Sequence, residues 1–164
     1  MIAVEGDIRW PQAILADPAV ASLIDFAQPV AVLMIAVLHF IREEDDPAAV
    51  VDAFTRRMVP GSYLALSYAT SDEADPDVLS QIKDVYRDAA APLVPRTAGQ
   101  ITSLFSGLEL ADPGRLVDVS QWHPGKRAMP TKIRILAGVG RKPGDPVERG
   151  GVRRTDDLPA ANRQ

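Results

Sequence analysis

The run from Val30 to Phe40 (VAVLMIAVLHF) most constrains what this chain can fold into. Only His39 in it is polar. A stretch that apolar on both faces predicts a parallel strand covered by helices, the central strand of an α/β sheet. Pro29 opens it at a position that costs no ladder bond. Met1 to Asp7 (MIAVEGD) reads as the end of another strand. Nucleotide-binding sheets of this class normally begin with a strand and a glycine-rich turn. No such unit stands ahead of these two strands, so the chain reads as the C-terminal part of a cofactor-binding domain.

The elements that follow alternate in the α/β manner. Pro11 to Asp25 predicts a helix, interrupted at Asp17-Pro18 by a cap and a first-turn proline. The acidic run Glu43 to Asp46, followed by Pro47, predicts a helix N-terminus, where carboxylates suit the helix dipole. Its apolar stripe is Val50, Val51, Phe54 and Met58. Tyr63 to Tyr68 (YLALSY) predicts a second strand, and Pro76 to Ala91 a third helix. Thr97 caps a short helix that ends at Gly107. Leu108 to Leu110 and Leu116 to Val119 read as strand pieces. Lys132 to Val139 reads as an antiparallel strand nearer a sheet edge. Pro143 to Gln164 holds almost no large apolar side chain and reads as a disordered tail after a domain over 1–142.

Composition removes several classes of function. The chain has 164 residues, enough for one domain, with 46% hydrophobic and 24% charged residues, as in folded proteins. A net charge of −4 argues against a nucleic-acid partner, which favours a basic face. Without cysteine there is no disulfide or thiolate chemistry. His39 and His123 are the only histidines, so no transition-metal site is expected. The four carboxylates of residues 43–46 point in different directions along the chain and are explained by the helix start, not by a cation. The opening MIAVEGDIRW is no signal peptide, and Val30 to Ile41 is too short to span a bilayer, so a cytoplasmic protein without membrane contact is expected.

Two glycine motifs fail on context. Gly138-x-Gly140 follows a strand, but Pro143 arrives where a dinucleotide fingerprint needs a helix. Gly125-Lys126 lacks the rest of a phosphate loop. Trp122 and His123 sit in the loop between the last two strand pieces, where surface packing accounts for them.

The segments VEGDIRWPQAILADPAVASLIDFAQPVAVLMIAVLHF, PGSYLALSYAT, VYRDAAAPLVPRT and FSGLELADPG together resemble a bacterial S-adenosylmethionine-dependent methyltransferase family, long listed as a domain of unknown function. The resemblance covers nearly all of residues 1–142. It implies an α/β, Rossmann-like class I methyltransferase sheet whose last strand is antiparallel. The chain would supply the end of the family's third strand and its fourth to seventh strands, an N-terminally truncated domain without the glycine-rich loop. The cofactor implied is S-adenosylmethionine, with a small-molecule acceptor, and the chain by itself is expected to be inactive. A dehydrogenase of another doubly wound type is disfavoured by the antiparallel last strand and the LHF segment.

The resemblance also implies roles. Asp7 would accept from the adenine amino group, which donates to a carboxylate that only accepts, and Ile8 would pack on the ring. The rival reading of Asp7 is that Gly-Asp merely opens a turn. Ala36, Val37 and Leu38 would pass the cofactor. His39, at the carboxyl end of the central strand, would be a general base, since an imidazole titrates near neutral pH. The rival reading is a strand cap that gives shape without chemistry. Tyr68, Tyr86 and Arg87 would face the acceptor. A second class of function stays open: a non-catalytic remnant that dimerises or binds a partner through the apolar edge of the central strand.

Overall fold

In the computed structural model, residues 1–86, 89, 91–122 and 133–144 are described. Five strands form one sheet: β1 (Ala31–Met34), β2 (Tyr63–Ala69), β3 (Glu109–Leu110), β4 (Val117–Asp118) and β5 (Ile135–Arg141). Among the described residues five α-helices accompany them: α1 (Pro11–Leu15) and α2 (Pro18–Leu23) ahead of β1, α3 (Pro47–Arg57) between β1 and β2, and α4 (Pro76–Val85) and α5 (Ala98–Ser103) between β2 and β3.

The strand order is β1-β2-β5-β3, with β4 also on β5. β1 and β2 are parallel, in register from Ala31 opposite Tyr63 to Met34 opposite Leu66. A parallel pair needs a crossover, and α3 supplies it. β5 runs antiparallel to β2 from Tyr63 opposite Arg141 to Ala69 opposite Ile135. β3 and β4 pair antiparallel with the other edge of β5. This is the expected sheet with its antiparallel last strand.

Local chemistry explains the helix starts. The Asp17 carboxylate accepts the Ala19 and Val20 N–H groups, which breaks the first helical stretch into α1 and α2. Asp46 caps α3 by accepting from Ala49 at 3.0 Å. Thr97 and Gln100 form a reciprocal capping box at the start of α5. Apolar positions of α3 and α5 meet the sheet in one core that includes Met34, Leu38, Val50, Leu66, Tyr68, Ile101 and Phe105. No helix among the described residues is long and apolar enough to cross a membrane.

Four expectations need correction. Met1 to Asp7 forms no strand: β1 pairs only with β2, and no described strand lies beside Val4 to Gly6. The central strand stops at Met34 instead of reaching Phe40, because the chain turns left-handed at Ala36 (φ 55°) and closes a 3-10 turn over Leu38–Phe40. It is also not covered on both faces. With a single neighbour it is an edge strand, and Leu33 and Ile35 are 67% and 53% exposed. Helix α4 ends at Val85 rather than Ala91, and the expected tail lies largely outside the described residues.

Candidate functional site

The turn after β1 builds the site. Its left-handed residue, Ala36, donates its N–H to the Ser67 hydroxyl on β2 at 2.9 Å. The following 3-10 turn lays Phe40 and Ile41 against the chain from Asp7 to Arg9. Between them lies a cleft of about 590 Å³. Asp7, Ile8, Ala36 and Val37 line it, with Phe40, Glu44, Asp45 and Pro92. Ligand clefts commonly fall in the range of about 300–1,000 Å³. The cleft sits at the carboxyl end of a parallel strand, where open α/β sheets bind their ligands.

Asp7 does not stand free in this cleft. The guanidinium of Arg9 grips its carboxylate, with Nε at 3.0 Å from both oxygens. These hydrogen bonds hold the Asp7 carboxyl below the usual range. Ile8, beside it, packs against the core.

Leu38 and His39 lie deeper. Leu38 is fully buried, and His39 is 6% exposed and does not line the cleft. The imidazole is edge-on to Phe40 (centroids 4.5 Å apart) and to Tyr68 (5.9 Å). Its Nδ1 has no hydrogen-bond partner. Burial lowers the His39 pKa, so the ring is neutral at pH 7.

Of the residues expected at the acceptor side, Tyr68 and Tyr86 flank the His39–Phe40 ring pair. Tyr68 is fully buried, and its hydroxyl accepts from Arg96 Nε at 2.9 Å. Tyr86 tilts against Phe40 with ring centroids 6.0 Å apart, behind the cleft wall. Arg87 lies outside the described residues, as do His123, Gly125 and Lys126.

Sequence reasoning missed Arg96. It is 6% exposed, and its guanidinium also pairs with Glu43. Burial works against the Arg96 cation, but the bonds to Glu43 and Tyr68 outweigh it and raise its pKa. A lone arginine before a capping threonine gives no periodic signal, and Glu43 was absorbed in the acidic run that starts α3.

Residues 2–143 match the sequence model of a family described as S-adenosyl methyltransferase. The chain belongs to this S-adenosyl methyltransferase family. A DUF574 family protein from Streptomyces avermitilis MA-4680 superposes with a TM-score of 0.76 and 35% identity, covering 85% of this chain and 54% of that one. A methyltransferase candidate from Thermobifida fusca YX gives 0.73 and 29% identity, with 85% and 53% covered. The chain therefore spans about half the length of the solved structures it matches. An O-methyltransferase family protein from Burkholderia thailandensis, 14% identical at a TM-score of 0.51 over 87% of this chain and 36% of that one, shows the same fold. No curated protein matches the chain. The fold is the Rossmann-like one of class I methyltransferases, and S-adenosylmethionine is the family's cofactor.

Proposed function

We propose that this chain forms the adenine-side wall and the proton-accepting side of a methyltransferase site for a small-molecule acceptor. The observation that carries the reading is the gathering of Asp7, Ile8, Ala36 and Val37 around one cleft at the end of β1. The residues there suit the adenosine part of S-adenosylmethionine. Ile8, Val37 and Phe40 offer apolar surface to a purine. Asp7, Glu44 and Asp45 offer acceptors to its amino group and negative charge to a sulfonium.

When bound, S-adenosylmethionine supplies a methyl group activated on sulfur. Asp7, held ionised by Arg9, would accept from the adenine amino group. Ile8 would pack on the ring. Ala36 and Val37 would run along the ligand, with Leu38 anchoring them in the core. His39, neutral because it is buried and in contact with the cleft residue Phe40 without itself lining the cleft, would accept the proton that an acceptor hydroxyl or amine loses once the acceptor reaches it. General-base help of this kind contributes typically about 10²–10⁴-fold. Tyr86, against Phe40, would border the acceptor side, with Tyr68 packed against His39. The small, mixed-polarity cleft and the net charge of −4 support a small molecule in preference to nucleic acid.

Calorimetric titration with S-adenosylhomocysteine tests the reading. It should bind tightly to a form carrying a glycine-rich βα unit ahead of Met1, and weakly to the 164-residue chain. No binding by either form overturns it.

A specific observation favours a second reading, self-association. Among the described residues β1 is an edge strand, with Leu33 on it and Ile35 just beyond its end exposed, a template for pairing with another chain. Light scattering should show a dimer that Leu33→Lys dissolves. A monomer at millimolar concentration contradicts this reading.

A further inference from the structure

We propose that Arg96 is a positioning residue, whose buried guanidinium locks the strap over residues 94–97 against β2 and thereby fixes the imidazole of His39 beside the cleft.

The bonds converge from three elements. Arg96 Nε donates to the Tyr68 hydroxyl on β2 at 2.9 Å. The same guanidinium pairs with Glu43, on the turn that follows His39. Its backbone is held as well: Arg96 N–H donates to the Ala69 carbonyl at 3.1 Å, and Ser71 N–H to the Arg96 carbonyl at 3.0 Å. Two residues earlier in the strap, Val94 N–H donates to the His39 carbonyl at 2.7 Å. The imidazole is thus held twice by groups that answer to Arg96. Its backbone hangs on the strap, and its ring rests against the Tyr68 ring at 5.9 Å between centroids.

A buried cation is expensive to keep. Its desolvation costs several kcal/mol, and an apolar side chain would often fill such a space with equal or better stability. What an apolar side chain lacks is the rigid fork that reaches two acceptors from one plane. The fork joins β2 to the turn that follows His39. The strap it anchors carries the Val94 N–H bonded to the His39 carbonyl, so that the ring is held on both sides as a fixed proton acceptor requires. Arg96 touches no cleft surface itself and acts through Tyr68 and Val94. Among the described residues, the titratable side chain in contact with the ring is the Tyr68 phenol, to which Arg96 is hydrogen-bonded, and Glu43 in turn pairs with Arg96.

The inference rests on the methyltransferase reading only for the purpose it gives His39; the positioning is measurable without cofactor. With His123→Gln as background, His39 is the one imidazole in the chain. Its nuclear magnetic resonance titration then reads one site. Arg96→Lys keeps the cation and loses the fork. The His39 ring signals should move, and its pKa should rise toward the ordinary value of about 6.5. Glu43→Ala is the second variant, and Glu43 is 77% exposed in its side chain, so folding is little at stake. Losing the carboxylate that pairs with Arg96 leaves the buried cation uncompensated and would by charge alone lower the His39 pKa, whereas a loosened ring raises it. A rise in Glu43→Ala supports the positioning role. An unchanged or lowered pKa there, in a folded protein, overturns it, whether or not Arg96→Lys folds. Failure of S-adenosylhomocysteine to bind any form would sink the methyltransferase reading and leave this result standing.

Discussion

The Ser67 hydroxyl accepts the backbone N–H of Ala36 at 2.9 Å, and this bond ties the end of β2 to the turn where β1 opens into the cleft. Ser67 is 4% exposed and belongs to the strand interior. Its side chain does for Ala36 what a ladder bond would have done had β1 continued. Ser67→Ala should cost about 1 kcal/mol of stability, the usual net worth of one hydrogen bond. Chemical denaturation checks the cost. The amide signals of Ala36 and Val37 should shift most.

Ala36 itself takes φ 55°, a left-handed conformation that side chains branched at Cβ avoid. Ala36→Val should therefore destabilise by about 1–2 kcal/mol. Ala36→Gly should be close to neutral, because relief of the strain is offset by the freedom glycine has in the unfolded chain. Equal stability of the valine and glycine variants would contradict the left-handed turn.

The pH dependence of stability has a definite sign at His39. Burial lowers its pKa in the folded protein. The unfolded chain, with an ordinary value of about 6.5, then binds more protons than the folded one just below that pH. This contribution is full above about pH 6.5 and is lost as the pH falls toward the folded value. Melting temperature measured across that window should drop more steeply for the natural protein than for His39→Asn. Parallel curves would contradict a buried neutral imidazole.

Gly140 on β5 lies under the Phe105 ring. A Cβ there would stand 2.8 Å from Phe105 Cδ1 and 3.0 Å from Leu108 Cβ. Gly140→Ala should cost about 1–3 kcal/mol through overpacking of a filled core. A thermal melt reads it directly, and an unchanged midpoint would mean that Phe105 and Leu108 yield more easily than a packed core does.

Much of the architecture was legible because it follows from local chemistry. Asp17-Pro18, Asp46-Pro47, Asp75-Pro76 and Thr97 each announce a helix start, and each side chain caps as its residue type suggests. The antiparallel direction of β5 was expected from the alternation that begins at residue 132, but the strand runs over Ile135–Arg141 and lies between β2 and β3 instead of near a sheet edge. Gly138 and Gly140 make a seat for Phe105 on β5, a use that needs the fold to be seen. The length of β1 was misread because an apolar run carries no mark of where pairing ends. The left-handed turn at Ala36 depends on Ser67, thirty-one positions away in sequence. The link from Arg96 to Glu43 spans still more, and no pattern in a single chain connects them. Of the site, the residues of the turn after β1 could be named in advance. What holds them could not.

The central claim is that the cleft at the end of β1 receives the adenosine end of the cofactor, and mapping S-adenosylhomocysteine onto the chain by amide chemical shifts tests it most directly. The account predicts shifts gathered at Asp7 and Ile8 and from Ala36 to Phe40, weakened in Asp7→Asn, with α5 and β3 silent. Shifts centred elsewhere, or none at saturating ligand, would contradict it.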